Sequence, residues 1–511
     1  MEDKEAARGG LTRAQKALRR QGSVPNMGPP GFYDMSWISA CWCRLSRNGW
    51  WLLAIVPFVF VVGVVVKYNV PVPFLDHWDL VPMLEKSYQG NLSFNDFWEL
   101  HNEHRSLFHR LIFLGLARLT DWDIRYELAA SILLALGIFG VLVWQVRRTA
   151  QDLGRPELRW AVPATSVIIF SMSQYQDWLW GIPFCIFLSV LAVVSSIVLL
   201  ASQPFQWTRF VAATLLGIVA SYSFGNGGLV WPIGLVMLSV VTAGKKERKP
   251  SLIIWAVVGA LTMGFYFYHY EKPEEHPALT LLFQHPIEYA GYVLKFLGNI
   301  CAEYPGTNIG LDAACAVVYG LGATVALGWA SRVLLRNKLV QLSALLPYLC
   351  LGLYSVASAL LIGIGRLGLG SDQALMSRYC ALSAPLWFSL VIALILLVTS
   401  NPRQAESQTG GEVLEKERKA ARWLLQAATI LLVLGSALAL DGAQRMSRAL
   451  AYAEARLLSL AANPSGEIDY RALGFLHPRP AVILQYYPFL KQHRLSVFRD
   501  QESVGQNRKA N

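Results

Sequence analysis

The chain has 511 residues, of which 54% are hydrophobic and only 15% charged, with 17 tryptophans. A soluble protein would carry about a quarter charged residues, whereas here apolar runs of about 20 residues, each long enough to cross the hydrocarbon layer as a helix, recur along most of the length. The net charge of +11 sits in short loops between those runs, where it sets membrane topology, so nucleic acid is excluded as the partner and a lipid bilayer is the expected environment.

Residues 1–48 hold Lys4, Arg8, Arg13, Lys16, Arg19, Arg20, Arg44 and Arg47 around a Gly/Pro-containing middle, GSVPNMGPPG. This predicts a cytoplasmic basic tail, largely disordered, with no cleavable signal peptide. Spans are then expected near 49–66, 127–146, 160–175, 181–201, 209–223, 227–243, 251–270, 309–331, 338–363, 380–399 and 422–441. That is an all-α polytopic membrane protein of about 11 transmembrane helices, N-terminus inside and C-terminus outside. Every long inside loop is basic, as at Arg147/Arg148/Arg155/Arg159 and Lys245/Lys246/Arg248/Lys249. The stretch 106–120 is short and carries Arg110 and Arg118, which predicts an amphipathic helix on the outer surface rather than a span.

Three outside segments follow: 67–126, 271–308 and 442–511. The chain thus divides into the tail 1–48, a transmembrane domain 49–441 and a C-terminal segment 442–511. That last segment opens with a helical pattern, breaks at Asn463-Pro464-Ser465-Gly466 and resumes, suggesting a small helical cap packed on the membrane portion. Its final residues, RDQESVGQNRKAN, are expected to be disordered. None of the seven cysteines forms a paired CxxC zinc pattern.

Chemistry is concentrated after the first span. Asp76 and Asp79 are three apart, on one side of a helix beginning at the membrane face. A partly desolvated carboxylate there can act as general base toward a hydroxyl, although Asp76 also suits a helix N-cap. His101, Glu103, His104 and Arg105 form a second cluster, fit for polar contacts to a hydroxylated substrate, a brace to Asp76 or a share in a divalent cation. Asp177 with Trp180, and Asn226 in a glycine-rich turn, suit sugar recognition or an interfacial aromatic belt. Arg366 and Arg378, beside glycine-rich backbone, could grip a phosphate or snorkel at helix ends.

At these residues the chain resembles the GT-C superfamily of glycosyltransferases, polytopic enzymes that take sugars from polyprenyl-phosphate carriers. The likeness is closest to poorly characterised bacterial members. It rests on Asp76-His77-Trp78-Asp79, His101-Asn102-Glu103-His104-Arg105, Trp180-Gly181, Ser377-Arg378-Tyr379 and LSVF at 495–498. The resemblance implies that Asp76 is the catalytic base, with Asp79 as its rival, because His77 and Trp78 separate acids that are adjacent in many relatives. It also implies that Arg378, next to Tyr379, steadies the carrier phosphate, and that segment 271–305, with Lys272 and His276, is the carrier-binding loop. The expected function is transfer of a sugar from a polyprenyl-phosphate carrier to a glycan or lipid hydroxyl, on the periplasmic face of a bacterial inner membrane. A divalent cation is an open question. The alternatives are a transporter or flippase of a lipid-linked glycan, a glycan polymerase or ligase, and a non-catalytic assembly subunit. Transport would call for ionisable groups buried mid-span or for interrupted helices around a central cavity.

Overall fold

The computed structural model describes residues 36–271, 281–302, 309–400 and 408–499. Met1–Gly49 and Trp50–Asn511 are separate compact units. In the first, residues 36–49 are helical; apart from that stretch at the start of the first helix, all that follows concerns the second.

The described residues form helices and turns with no strand, and one isolated bridge joins His101 and His104. In chain order the principal helices are α1 (Ser36–Tyr68), α2 (His77–Gln89), α3 (Leu107–Thr120), α4 (Arg125–Asp152), α5 (Ala161–Ile169), α6 (Phe184–Leu200), α7 (Trp207–Ser221) and α8 (Val230–Val241). They continue with α9 (Arg248–Phe267), α10 (Pro286–Gly298), α11 (Ile309–Arg336), α12 (Leu342–Arg366), α13 (Cys380–Val398), α14 (Gln408–Ala462) and α15 (Pro480–Gln492). Seven of them are long and apolar enough to cross a membrane: α1, α4, α9, α11, α12, α13 and α14. Helices suit that task because their backbone groups are satisfied within the segment. α6, α7 and α8 are apolar but shorter.

α13 lies at the centre and is buried along nearly its whole length; it is hydrophobic all round, as such a position requires. It packs on α12, α11 and α14. α3 has the amphipathic character expected of 106–120. It buries His109, Arg110, Phe113 and Ala117 on one face and exposes Leu111 and Leu119.

Two expected elements take a different form. The apolar stretch 160–175 is not one helix: α5 is nine residues long, about 14 Å at 1.5 Å per residue. It stops because Ser171 starts a new turn, its hydroxyl accepting from the Ser173 N–H at 3.2 Å. The last expected span, 422–441, lies inside a 55-residue helix that runs on to Ala462 without a break. The C-terminal helices are therefore a continuation of the bundle, and α15 turns back to pack on α2. The Leu75 N–H donates to the Leu476 carbonyl at 2.6 Å, and Arg499 reaches Asp123 at 2.7 Å. The C-terminal residues expected to be disordered lie outside the described ones, apart from Arg499, whereas within the tail 1–48 residues 36–48 are helical.

α10 and α11 cross backbone to backbone. A Cβ on Gly320 would stand 2.0 Å from the Leu294 carbonyl oxygen, and one on Gly298 2.0 Å from that of Ala316. Small residues permit such close crossings where lipid gives no hydrophobic drive to association. Gly320→Val should therefore destabilise the bundle by about 1–3 kcal/mol through forced separation of the helices. Thermal unfolding in detergent reads the effect, and an unchanged melting temperature would rule the crossing out.

Candidate functional site

The site is a cavity of about 140 Å³ lined by Asp76, His101, Glu103, His104, Trp180, Arg366, Arg378 and Tyr379, among others. It is small, with room for about ten water-sized volumes at 10–15 Å³ each, so it suits a head group rather than a whole glycolipid. Residues about 300 apart in the chain meet here because the elements that carry them end at one level of the bundle. α2 begins at this level, α12 finishes at Arg366, and α13 starts just after Arg378.

Asp76 stands at the N-cap position of α2, yet its side chain makes no capping hydrogen bond. The carboxylate turns instead to His101, with Oδ2 3.7 Å from Nε2. His101 and His104 are joined by a tight turn in which each backbone N–H donates to the other's carbonyl, at 2.9 and 3.0 Å. Asn102 holds the left-handed conformation that turn needs (φ 51°), one that Asn tolerates better than most residues. Glu103 pairs with Arg366 at 2.7 Å, so one cavity cation is already matched. The Arg378 guanidinium has no carboxylate partner among the described residues; it lies 5.8 Å from the Trp180 ring centre and 5.4 Å from that of Tyr379. Its backbone is fixed by Gln176, whose Oε1 accepts from the Arg378 N–H at 3.3 Å.

These contacts set the charges. Burial works to raise the Asp76 carboxyl, but the neighbouring His101, with the charge of Arg378, outweighs it and holds the group at about 2. Burial tends to lower His101, and Asp76 and Asp79 more than reverse this, leaving it above its ordinary value. His104 is pushed down to about 4 by burial, against the pull of Glu103, and His109 down to about 3, also by burial. The cavity therefore holds a fixed anion, a fixed cation and an imidazole that readily takes a proton.

A buried brace, not evident in the sequence, holds the loop that carries Asp76. His77 Nδ1 accepts from the Phe74 N–H at 3.2 Å, so Nε2 bears the hydrogen and donates to Glu127 Oε2 at 2.8 Å. Trp122 Nε1 donates to the other oxygen, Oε1, at 2.9 Å. Trp180 adds a bond from Nε1 to the Phe74 carbonyl at 3.0 Å. This arrangement accounts for the Trp180-Gly181 pair, since a Cβ at Gly181 would fall 2.1 Å from Glu127 Oε2. An acid in the first turn of an apolar helix was the available signal; its partner lies 50 residues away.

Several expected site residues lie off the cavity wall. Asp79 faces the C-terminal segment, with Oδ1 3.4 Å from His477 Nε2 and 3.6 Å from Arg479. Arg105 is a buried staple that donates to the carbonyls of Trp98, Tyr266, Tyr268 and His269, joining the first loop to the end of α9. Asp177 is buried without a hydrogen-bond partner for either oxygen among the described residues. Burial raises its carboxyl well above the ordinary value, against the influence of Arg378. The Asn226 amide reaches the Ser358 carbonyl at 3.5 Å. Lys272 and His276 fall outside the described residues. Asp76, Asp79 and His101 each offer an atom within 4.8 Å of the others, a mixed oxygen and nitrogen set that could hold a divalent cation.

No protein-family model matches the chain, and no curated protein does either.

The brace yields a direct test. In Glu127→Gln the single amide oxygen cannot accept from both Trp122 and His77, and one buried donor is left unmatched, at a cost of about 1–3 kcal/mol. The melting temperature should fall accordingly; a variant as stable as the parent would show that the brace carries no weight.

Proposed function

We propose that this protein is a membrane glycosyltransferase that moves a sugar from a polyprenyl-phosphate carrier to a hydroxyl acceptor. The observation that carries this reading is one cavity holding both the Asp76 carboxylate and the Arg378 guanidinium, the latter with no carboxylate partner among the described residues, at the ends of membrane-length helices. Asp76 takes the proton of the acceptor hydroxyl. The acceptor oxygen then attacks the anomeric carbon, the bond from that carbon to the carrier phosphate breaks, and its electron pair stays on the phosphate oxygen beside Arg378. Direct displacement inverts the anomeric centre. His101, Glu103, His104 and Trp180 hold the sugar, with the indole face covering C–H surface.

A carboxyl held at about 2 is ionised but weakly basic. Arg378 is one of the charges that hold it there, and a bound phosphate offsets that charge. Substrate binding therefore lifts the basicity of Asp76 toward the range where a general base is effective. Asp76 is favoured over Asp79 because Asp79 is engaged by His477 and Arg479.

The finer topology belongs to the same reading. Eleven crossings result if α6, α7, α8 and the broken stretch 160–175 each cross. The basic loops then lie inside, and the cavity opens to the periplasm of a bacterial inner membrane. The interrupted segment after α5 is what a transporter would display. Its break, however, is sealed against protein: the Met172 N–H donates to Ser436 Oγ at 2.9 Å, and the Ser173 hydroxyl to the Ile300 carbonyl at 2.7 Å.

Glycan analysis of a deletion strain carrying variants, together with turnover of a polyprenyl-phosphate sugar by purified protein, tests the reading. Asp76→Asn should lower turnover by about 10²–10⁴-fold, the usual worth of a general base, and Asp79→Asn far less. Arg378→Gln should cost about 10²-fold or more, as removal of a charge-stabilising donor does. Full restoration of the glycan by Asp76→Asn would sink the proposal, and loss confined to the arginine variants would favour a polymerase or ligase.

The Asp76–His101 pair sets a pH dependence. The stability contributed by Asp76 is present above its ordinary 3.8 and lost as pH falls through about 2. That of His101 is present below its ordinary 6.5 and lost as pH rises through its raised value. Because His101 helps to hold Asp76 down, His101→Gln should move the acid limb of kcat/KM to higher pH. An identical pH profile in the variant would dissolve the pair.

A further inference from the structure

A second cavity, of about 590 Å³, lies at the other end of the bundle. α4 leaves the first site near Glu127 and reaches this one at Gln145, about 27 Å along its axis at roughly 1.5 Å per residue. α6 and α12 join the same two levels: Phe184 and Arg366 stand at one, Leu200 and Leu342 at the other.

Three independent features of its wall point to one kind of ligand. The first is the start of α12, a 25-residue helix whose N-cap, Gln341, makes no side-chain capping bond. The Leu342 and Ser343 N–H groups have no acceptor within the helix, and that end of the dipole favours an anion. The second is cationic: Arg148 and Lys338 both line the cavity. Arg148 donates to the Gln203 carbonyl at 2.9 Å and stands 3.9 Å from Asp152, which shares the wall; Lys338 is exposed. The third is Gln145, only 5% exposed, whose Oε1 has no hydrogen-bond partner among the described residues. Its Nε2 donates to Thr149 Oγ1 at 3.2 Å, and Thr149 meets the Tyr348 hydroxyl at 2.7 Å. A buried acceptor of this kind calls for a donor from the ligand, which a fully ionised phosphoryl group cannot supply.

We propose that this cavity binds a phosphate ester with a hydroxylated head, in chemical terms a glycerol phosphate. The phosphoryl oxygens take the N–H groups of α12, Arg148 and Lys338, and a ligand hydroxyl donates to Gln145. Its position at the ends of apolar helices is where phospholipid head groups lie, so an anionic glycerophospholipid is the expected source, and soluble glycerol phosphate offers the same chemistry.

The test uses the full chain in an uncharged detergent. Its melting temperature is followed while phosphatidylglycerol, phosphatidylcholine or glycerol 3-phosphate is titrated in. Phosphatidylglycerol should raise it saturably and phosphatidylcholine should not. Arg148→Gln/Lys338→Gln should raise the half-saturating concentration about tenfold, the equivalent of one lost charge-assisted contact. Lys338→Gln alone, at an exposed position, should raise it several-fold and guards against a folding defect in the double variant. A matching response to glycerol 3-phosphate would identify a soluble ligand of the same class. Absence of any saturable shift, an equal response to phosphatidylcholine, or saturation unaffected by either variant would each overturn the proposal.

Discussion

Glu127 is the polar group on which the candidate site depends. Its carboxyl sits in the first turn of an apolar helix, accepts from His77 and Trp122, and so fixes the loop that delivers Asp76. Buried polar networks of this type are costly when incomplete and rigid when satisfied. Here the network reaches outward as well. Gly181 leaves space for the carboxyl, and Trp180, next in the chain, both ties down Phe74 and faces Arg378. The side chain that holds the proposed base in place is therefore linked, through His77 and Phe74, to the wall that faces the proposed phosphate site.

Much of this arrangement was legible in the sequence wherever the determinant was local. Apolar run length identified the long helices, charge spacing marked α3 as amphipathic, and the acidic, histidine and arginine motifs singled out Asp76, His101, Glu103 and Arg378, which meet in one cavity. What was not legible depended on partners far along the chain. Arg105 reads as a substrate contact until the carbonyls at the end of α9 are seen to consume it. The equivalence of Asp76 and Asp79 is removed by His477, almost 400 residues later. The break after α5 escaped notice because apolar residues flank it closely on both sides, while the interruption comes from one serine hydroxyl and the backbone it captures.

The two cavities stand at opposite ends of shared helices and differ in character. The first is compact and combines Arg366, paired with Glu103, the Asp76 carboxylate, and Arg378, which has no carboxylate partner among the described residues. The second is four times larger, and its polar wall sets three cations (Arg148, Arg155 and Lys338) and three amides against the single carboxylate of Asp152. Between them the helix faces are almost wholly apolar, so charge cannot pass from one to the other through the interior at low cost. Each end is electrostatically its own compartment.

The unbroken course of α14 has a geometric consequence. Because this helix passes from the bundle into the C-terminal segment without a hinge, the azimuth at which α15 meets α2 is set by the number of residues between them. One inserted residue would swing everything beyond it by about 100° and lift it by about 1.5 Å, carrying His477 away from Asp79. Seven would nearly restore the bearing but displace the cap by roughly 10 Å. Chain length within α14 is thus quantised like the teeth of a gear, and the segment beyond it tolerates substitution more readily than insertion.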